Sequence, residues 1–244
     1  MKKKIRVSIF FVLILAFLSV FGVYLVDASI AAFTPASPSN DTWTNITSTV
    51  FTFTPVSTNN VTNITCEVFV NDVATGVNTT VLNNTATVMT ANATLTEGYN
   101  LPWYVNCSES GANNETKSGI MNISIDATAP SINFDPLMNL NNTWFNTTTP
   151  EFLFNLTDNL DATSNWTIYV NGTSNVSNSS ANNTQTSYNI SGLGNGKTYN
   201  ITIQSLDEAV NVLNSTLNIS IDTGNPTAMI NITNESRYND TTPE

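Results

Sequence analysis

The chain has 244 residues, with 7 Lys and Arg against 18 Asp and Glu, no His and two Cys, for a formal net charge of −11. Lys2, Lys3, Lys4 and Arg6 precede the first apolar run, so the remainder holds only Lys117, Lys197 and Arg237 against all the acidic residues. Phosphate backbones are gripped by clustered Lys and Arg, so a nucleic-acid partner is excluded. Low charge could also signal disorder, but the aromatic and β-branched residues are plentiful and periodic, which a disordered chain lacks.

Met1–Arg6 is basic and Val7–Val26 is almost unbroken apolar sequence, so residues 1–32 read as a membrane-targeting segment. As a cleavable signal it offers Val26-Asp27-Ala28 or Ile30-Ala31-Ala32 as small-residue sites. As an uncleaved anchor, about 20 apolar residues are enough to span, with the basic start held inside. The membrane is a partner in the second case only, and both readings place the chain from about residue 30 outside the cell.

Phe33–Asn45 is rich in Pro, Ser, Thr and Asn and reads as a linker into a first edge strand. Strands are predicted at Val50–Phe53, Thr65–Val70, Thr85–Met89, Trp103–Cys107 and Ile120–Ile125. Period-two alternation turns Phe51 and Phe53 inward, then Cys66, Val68 and Val70, then Trp103, Val105 and Cys107. A second set follows: Phe152 and Phe154, then Trp166, Ile168 and Val170, then Tyr199, Ile201 and Ile203, then Leu217, Ile219 and Ile221. Asn71-Asp72, Glu97-Gly98, Asn171-Gly172 and Gly192–Gly196 supply turns between them. Beyond the N-terminus no stretch has a 3.6-residue amphipathic period. The fold class is all-β, with about seven short strands per unit, as in a sandwich.

Met121-Asn-Ile-Ser-Ile-Asp-Ala-Thr-Ala-Pro130 returns as Leu217-Asn-Ile-Ser-Ile-Asp-Thr-Gly-Asn-Pro226, a period of about 96 residues. This sets domain 1 at 33–126 and domain 2 at 127–222. Asn239-Asp-Thr-Thr-Pro-Glu244 echoes Asn146-Thr-Thr-Thr-Pro-Glu151, so 223–244 reads as the start of a third repeat.

The series Cys66-Glu-Val-Phe-Val-Asn-Asp, Leu95-Thr-Glu-Gly, Trp103-Tyr-Val-Asn-Cys-Ser-Glu-Ser-Gly-Ala-Asn and Ile123-Ser-Ile-Asp-Ala-Thr-Ala-Pro130 resembles the immunoglobulin-like repeats of large archaeal and bacterial surface proteins. Leu193-Gly-Asn-Gly-Lys-Thr-Tyr199 and Asp207-Glu-Ala-Val-Asn211 match the same pattern in the second unit. That unit departs from it at Val210, where the family tends to have Gly, and in lacking both cysteines. The resemblance covers roughly residues 40–244 and implies tandem immunoglobulin-like sandwiches in an extracellular setting. It implies little about function, because such sandwiches serve as spacers, adhesion modules and array subunits alike.

Several residues invite a chemical reading. Cys66 and Cys107, an even pair in an exported chain, point to a disulfide, with two buried free thiols as the alternative. Asn-X-Ser/Thr triplets number about 25, where this composition would supply roughly ten by chance. Asn45, Asn63, Asn122, Asn155, Asn171, Asn175, Asn178, Asn182, Asn200 and Asn218 are the candidate N-glycosylation sites, four of them crowded into a loop at 171–182. The alternative is that Asn-Ile-Thr and Asn-Ile-Ser are simply strand faces of an Asn- and Thr-rich chain.

Asp126, Asp158, Asp161, Asp207, Glu208 and Asp222 could ligate Ca²⁺ through oxygen, but no calcium-loop spacing is present and solvated turn carboxylates are the plainer reading. No other metal site is expected. Trp43 and Trp144 could stack on sugars, although packing is the commoner use of a Trp at a strand start. With no His, no Gly-X-Ser-X-Gly elbow and no phosphate loop, neither catalysis nor a small-molecule cofactor is expected, and Asp158 with Asp161 is too close in sequence to argue for a glycosidase cleft. The expectation is a non-catalytic, glycosylated stalk or adhesion segment facing a surface glycan or protein ligand. A surface-layer subunit, or a carbohydrate-binding accessory to an enzyme lying beyond residue 244, is the alternative.

Overall fold

A computed structural model describes residues 29–59, 61–109, 115–135 and 140–226. Residues 1–28 of the signal or anchor assigned to 1–32, and all but the first residues of the third-repeat start, lie outside the described residues, whereas Ile30–Ala31 form a strand of unit 1. Every regular element among those described is a strand, and no helix there is long and apolar enough to cross a membrane. The chain divides into two compact units, Met1–Asp126 and Ala127–Glu244.

Unit 2 shows the architecture in its more regular form. Its strands are β11 (Ser131–Phe134), β12 (Thr143–Phe145), β13 (Glu151–Thr157), β14 (Thr163–Val170), β15 (Thr173–Ala181), β16 (Thr184–Asn189), β17 (Lys197–Leu206) and β18 (Val212–Ile221). One sheet runs β11-β13-β16 and the other β12-β18-β17-β14-β15. All pairings are antiparallel except β12 with β18. Two sheets sharing a core, with strands crossing between them in Greek-key order, are the immunoglobulin-like sandwich arrangement. The inner faces carry Phe152, Phe154, Leu156, Trp166, Ile168, Ile201, Ile203, Leu217, Ile219 and Ile221, all buried. Phe154 meets Trp166 edge-on with ring centroids 5.4 Å apart, the quadrupole-favoured geometry.

Unit 1 repeats this plan with interruptions. Its strands are β1 (Ile30–Ala31), β2 (Thr42–Thr44), β3 (Val50–Phe53), β4 (Val56–Ser57), β5 (Ile64–Val70), β6 (Val73–Val81), β7 (Thr87–Thr90), β8 (Gly98–Glu109), β9 (Glu115–Lys117) and β10 (Met121–Ile125). The large sheet runs β2-β10-β8-β5-β6, with β9 also on β8, and again its one parallel pair is β10 with β2. The facing strands form two short pairs, β1-β4 and β3-β7. What is one strand in unit 2, β13, is here split into β3 and β4 around Pro55, whose missing N–H breaks a ladder. Phe51 and Phe53 are fully buried, and Phe51 lies 4.9 Å from Trp103.

The period-two inward sets hold throughout, with Val170 alone only half-buried. The linker reading of Phe33–Asn45 does not. Ile30 and Phe33 are in the core, Ser37 bridges Thr52, and β2 joins the large sheet, because the edge of β10 would otherwise expose its backbone groups. The loop expected at 171–182 is also corrected. Asn171 (φ 50°) and Gly172 (φ 80°) make a two-residue hairpin turn, and Thr173–Ala181 continues as the strand β15. An edge strand of Ser, Asn and Thr has no apolar alternation to betray it.

Candidate functional site

The cysteines sit on β5 and β8 as directly opposed partners and are joined by a disulfide, Cα–Cα 4.1 Å, fully inside the core. The bridge therefore ties neighbouring strands of one sheet, unlike the inter-sheet bridge of antibody domains. At the matching place in unit 2, Trp166 faces Ser205, and the buried Ser205 hydroxyl donates to the Pro130 carbonyl at 3.3 Å.

The sequon asparagines separate by what the fold does with each amide. Asn45 and Asn63 are exposed, outside strands in unit 1. Asn122, half-buried on β10, has its backbone N–H held by Asn40 Oδ1 at 2.8 Å, while its carbonyl accepts Asp41 N–H at 2.9 Å. Asn155 is half-buried and donates Nδ2 to Asn183 Oδ1 at 3.0 Å. Asn182 is half-buried as well, its Nδ2 on the Asp158 carbonyl at 2.8 Å and its Oδ1 on the Asp158 N–H at 3.0 Å. Asn175 and Asn178 are exposed on β15, Asn175 donating to the Ser191 carbonyl at 3.3 Å and Asn178 accepting from Ser179 N–H at 2.9 Å.

Asn171, Asn200 and Asn218 are exposed too. Asn200 and Asn218 are cross-strand partners on β17 and β18, on the face opposite Tyr199, Ile201, Leu217 and Ile219. Asn171 accepts Asn200 N–H at 2.9 Å through Oδ1 and returns its own N–H to the Asn200 carbonyl at 2.8 Å. Asn141 and Asn142 hold Asn218 in the same way, at 3.0 and 2.6 Å. Asn141 belongs to the Asn141-Asn142-Thr143 sequon, which the sequence reading passed over; its alignment with Asn40-Asp41-Thr42 one repeat earlier was the available signal.

Asp158, Asp161, Asp207 and Glu208 of unit 2 gather at one end of the sandwich. Asp161 and Asp207 are both buried, with carboxylate oxygens within 4.8 Å of each other. Asp161 Oδ2 accepts Glu208 N–H at 2.8 Å, and Asp207 grips Asn211 through its N–H and its Nδ2, both at 2.7 Å. Asp158 Oδ1 accepts Leu160 and Asp161 N–H at 2.9 Å, a turn-closing role rather than a place in a cleft. Burial pushes the Asp161 carboxyl up to about 6; the Glu208 N–H opposes this, and the charges of Asp158, Asp207 and Glu208 add to it. Protonation of Asp161 thus relieves the crowding. Asp126 is buried in unit 1 and Asp222 exposed in unit 2, their N–H groups on the carbonyls of Thr44 and Phe145.

The two tryptophans differ. Trp43 is half-buried and lies against Tyr99, ring centroids 5.6 Å apart, whereas Trp144 stands 67% exposed on β12 rather than packed. A cleft of about 180 Å³ lies between Val70, Ala74, Leu95 and Leu101, and two more open depressions of about 470 and 440 Å³ lie beside Met89 and beside Trp43.

No family model matches the chain, and no curated protein matches it. Among solved structures, the chain is similar to the fibronectin(III)-like modules of Clostridium thermocellum CbhA, at 14% identity and TM-score 0.41, covering 78% of this chain and 94% of that one. It is also similar to the two immunoglobulin domains IG1+IG2 of DIP-gamma, at 8% identity and TM-score 0.37 over 80% of this chain and 98% of that one. A biofilm-associated protein BSP domain aligns at 12% identity and TM-score 0.31, over 81% of this chain and 30% of that one. The sandwich description rests on the strand order and register given above.

Proposed function

We propose that the chain is a non-catalytic extracellular module, a stalk or adhesion segment of a glycosylated cell-surface protein. The observation that carries this reading is the disulfide buried in the core of unit 1, a bond that forms and persists in oxidising, exported settings. The exposed faces support it. The outer face of the large sheet in unit 2 is built from paired hydroxyls and amides, Thr198 with Ser220 at 2.9 Å, Thr202 with Thr216 at 2.8 Å and Gln204 with Asn214 at 3.1 Å. Such a surface stays hydrated without recruiting phosphate or membrane charge. The module works by holding and spacing, with a surface glycan or a protein as its partner, and needs no cofactor for that task.

The test is light scattering of the full secreted chain, with and without added Ca²⁺. A stalk or adhesion segment stays monomeric in both. Growth into assemblies on adding Ca²⁺ would replace this reading with that of a surface-layer subunit.

A further inference from the structure

Four sequon asparagines form one row across the outer face of the five-stranded sheet of unit 2. In order they are Asn141, in the turn before β12, Asn218 on β18, Asn200 on β17 and Asn171, in the turn after β14, all exposed. The end members are held differently from the middle pair. Asn141 and Asn171 each spend Oδ1 on a backbone N–H of the adjacent strand, at 3.0 and 2.9 Å. That bond fixes the amide plane. It leaves Nδ2 on the far side, where neither residue has a hydrogen-bond partner among the described residues. Asn155 and Asn182 present the opposite case, with Nδ2 itself donating, to Asn183 Oδ1 and to the Asp158 carbonyl.

N-glycosylation uses Nδ2 alone. The nitrogen forms a bond to the anomeric carbon of an oligosaccharide carried on a lipid pyrophosphate; the bond from that carbon to the pyrophosphate oxygen breaks, the lipid pyrophosphate leaves, and Nδ2 gives up one proton. Oδ1 is untouched, so the bonds from Asn218 N–H and Asn200 N–H to the row ends survive the modification. At Asn182 a glycan would displace the bracing bond from Nδ2 to the Asp158 carbonyl. The middle pair faces another limit: cross-strand partners have Cβ atoms only about 5 Å apart, which leaves no room for two glycan stems side by side.

We propose that Asn141 and Asn171 carry N-glycans, that Asn155 and Asn182 stay bare, and that Asn200 and Asn218 never carry glycans in the same molecule. This rests on the reading of the chain as exported and glycosylated. The test is site occupancy by glycopeptide mass spectrometry, with enzymatic release in ¹⁸O water, on the full chain secreted from a eukaryotic host. Expected are glycans at Asn141 and Asn171 in most molecules, none at Asn155 or Asn182, and no peptide glycosylated at both Asn200 and Asn218. Occupancy of Asn182 or Asn155 equal to that of Asn171, or a doubly modified middle pair, overturns the proposal and leaves the export reading standing. A chain bare at every sequon overturns both. Thr173→Ala removes the Asn171 sequon but keeps its Oδ1 bond, so it is expected to lose one glycan mass with an unchanged melting temperature; Asn171→Ala is expected to lose the same mass and to melt lower.

Discussion

Nine described non-glycine residues have positive φ, and eight of them are Asn or Asp, whose short polar side chains tolerate the left-handed region. The ninth is Val210, at φ 69°. It sits in the turn that Asp207 closes, between the 3.3 Å bond from Asp207 N–H to the Asn211 carbonyl and the Asp207 carboxylate on Asn211. The turn dictates the backbone and the side chain bears the strain. An L-residue there costs about 1–2 kcal/mol, and a β-branched one belongs at the upper end. Glycine removes that cost but frees the unfolded chain, returning about 0.7 kcal/mol. Val210 is 66% exposed, so losing its side chain forfeits only about 0.5 kcal/mol of burial. Val210→Gly should therefore stabilise unit 2 by about 0.8 kcal/mol, or roughly 3–6 °C in a domain this size. Val210→Asn should gain a comparable amount without loosening the unfolded chain, and Val210→Ile should gain nothing. Differential scanning calorimetry of the full chain and these variants is the assay. Val210→Gly melting at or below the parent, or Val210→Ile gaining as much as Val210→Gly, refutes the strain argument.

Two further outcomes follow from the cores and the carboxylates. The Cys66–Cys107 bridge closes 41 residues, worth about 4 kcal/mol in the chain-entropy account; reduction should lower the melting of unit 1 by at least roughly 15 °C and leave unit 2 unmoved, and equal shifts in both would contradict the pairing. Asp161 holds its proton more tightly folded, near 6, than unfolded, near 4, so unit 2 should lose stability as pH rises from about 4 to about 6 and be level above that. Asp161→Asn, which keeps an oxygen for Glu208 N–H, should flatten this dependence; an unchanged profile in chemical-denaturation curves would assign it to other groups.

What the chain reveals on its own depends on whether a residue's role leaves a periodic trace. Phe51, Phe53, Trp103, Ile201 and Ile219 alternate with polar neighbours because burial on a pleated strand demands it, and all are buried. The cysteines were legible for the same reason, falling in phase on opposed strands. β15 was not, since Ser, Asn and Thr on both faces of an edge strand carry no apolar period and read as a loop. Trp144 was misjudged by the same rule in reverse: its neighbours Thr143 and Phe145 take the inward phase on β12, so the largest side chain of the three points out. The acidic cluster was named residue by residue, but the burial that raises Asp161 depends on turns far apart in sequence meeting at one end of the unit.

Asparagine abundance itself has two physical sources, and they explain why a sequon count overstates the number of glycans. One is architectural. Asn40 on Asn122, Asn141 on Asn218 and Asn171 on Asn200 are one bond repeated, a side-chain oxygen satisfying a strand N–H. Where the chain departs from this device it does so consistently: Asn71 in unit 1 stands where Asn171 stands in unit 2, but the strand residue it meets is Pro102, which has no N–H to satisfy, and there only the Asn71 N–H to Pro102 carbonyl bond, 2.7 Å, remains. The other source is the modification. The two coexist at Asn141 and Asn171 because one uses the amide oxygen and the other the nitrogen, and they conflict at Asn182, where the fold needs both. Which atom of the amide the fold has claimed, rather than the presence of the triplet, separates an asparagine that can carry sugar from one that holds the sandwich together.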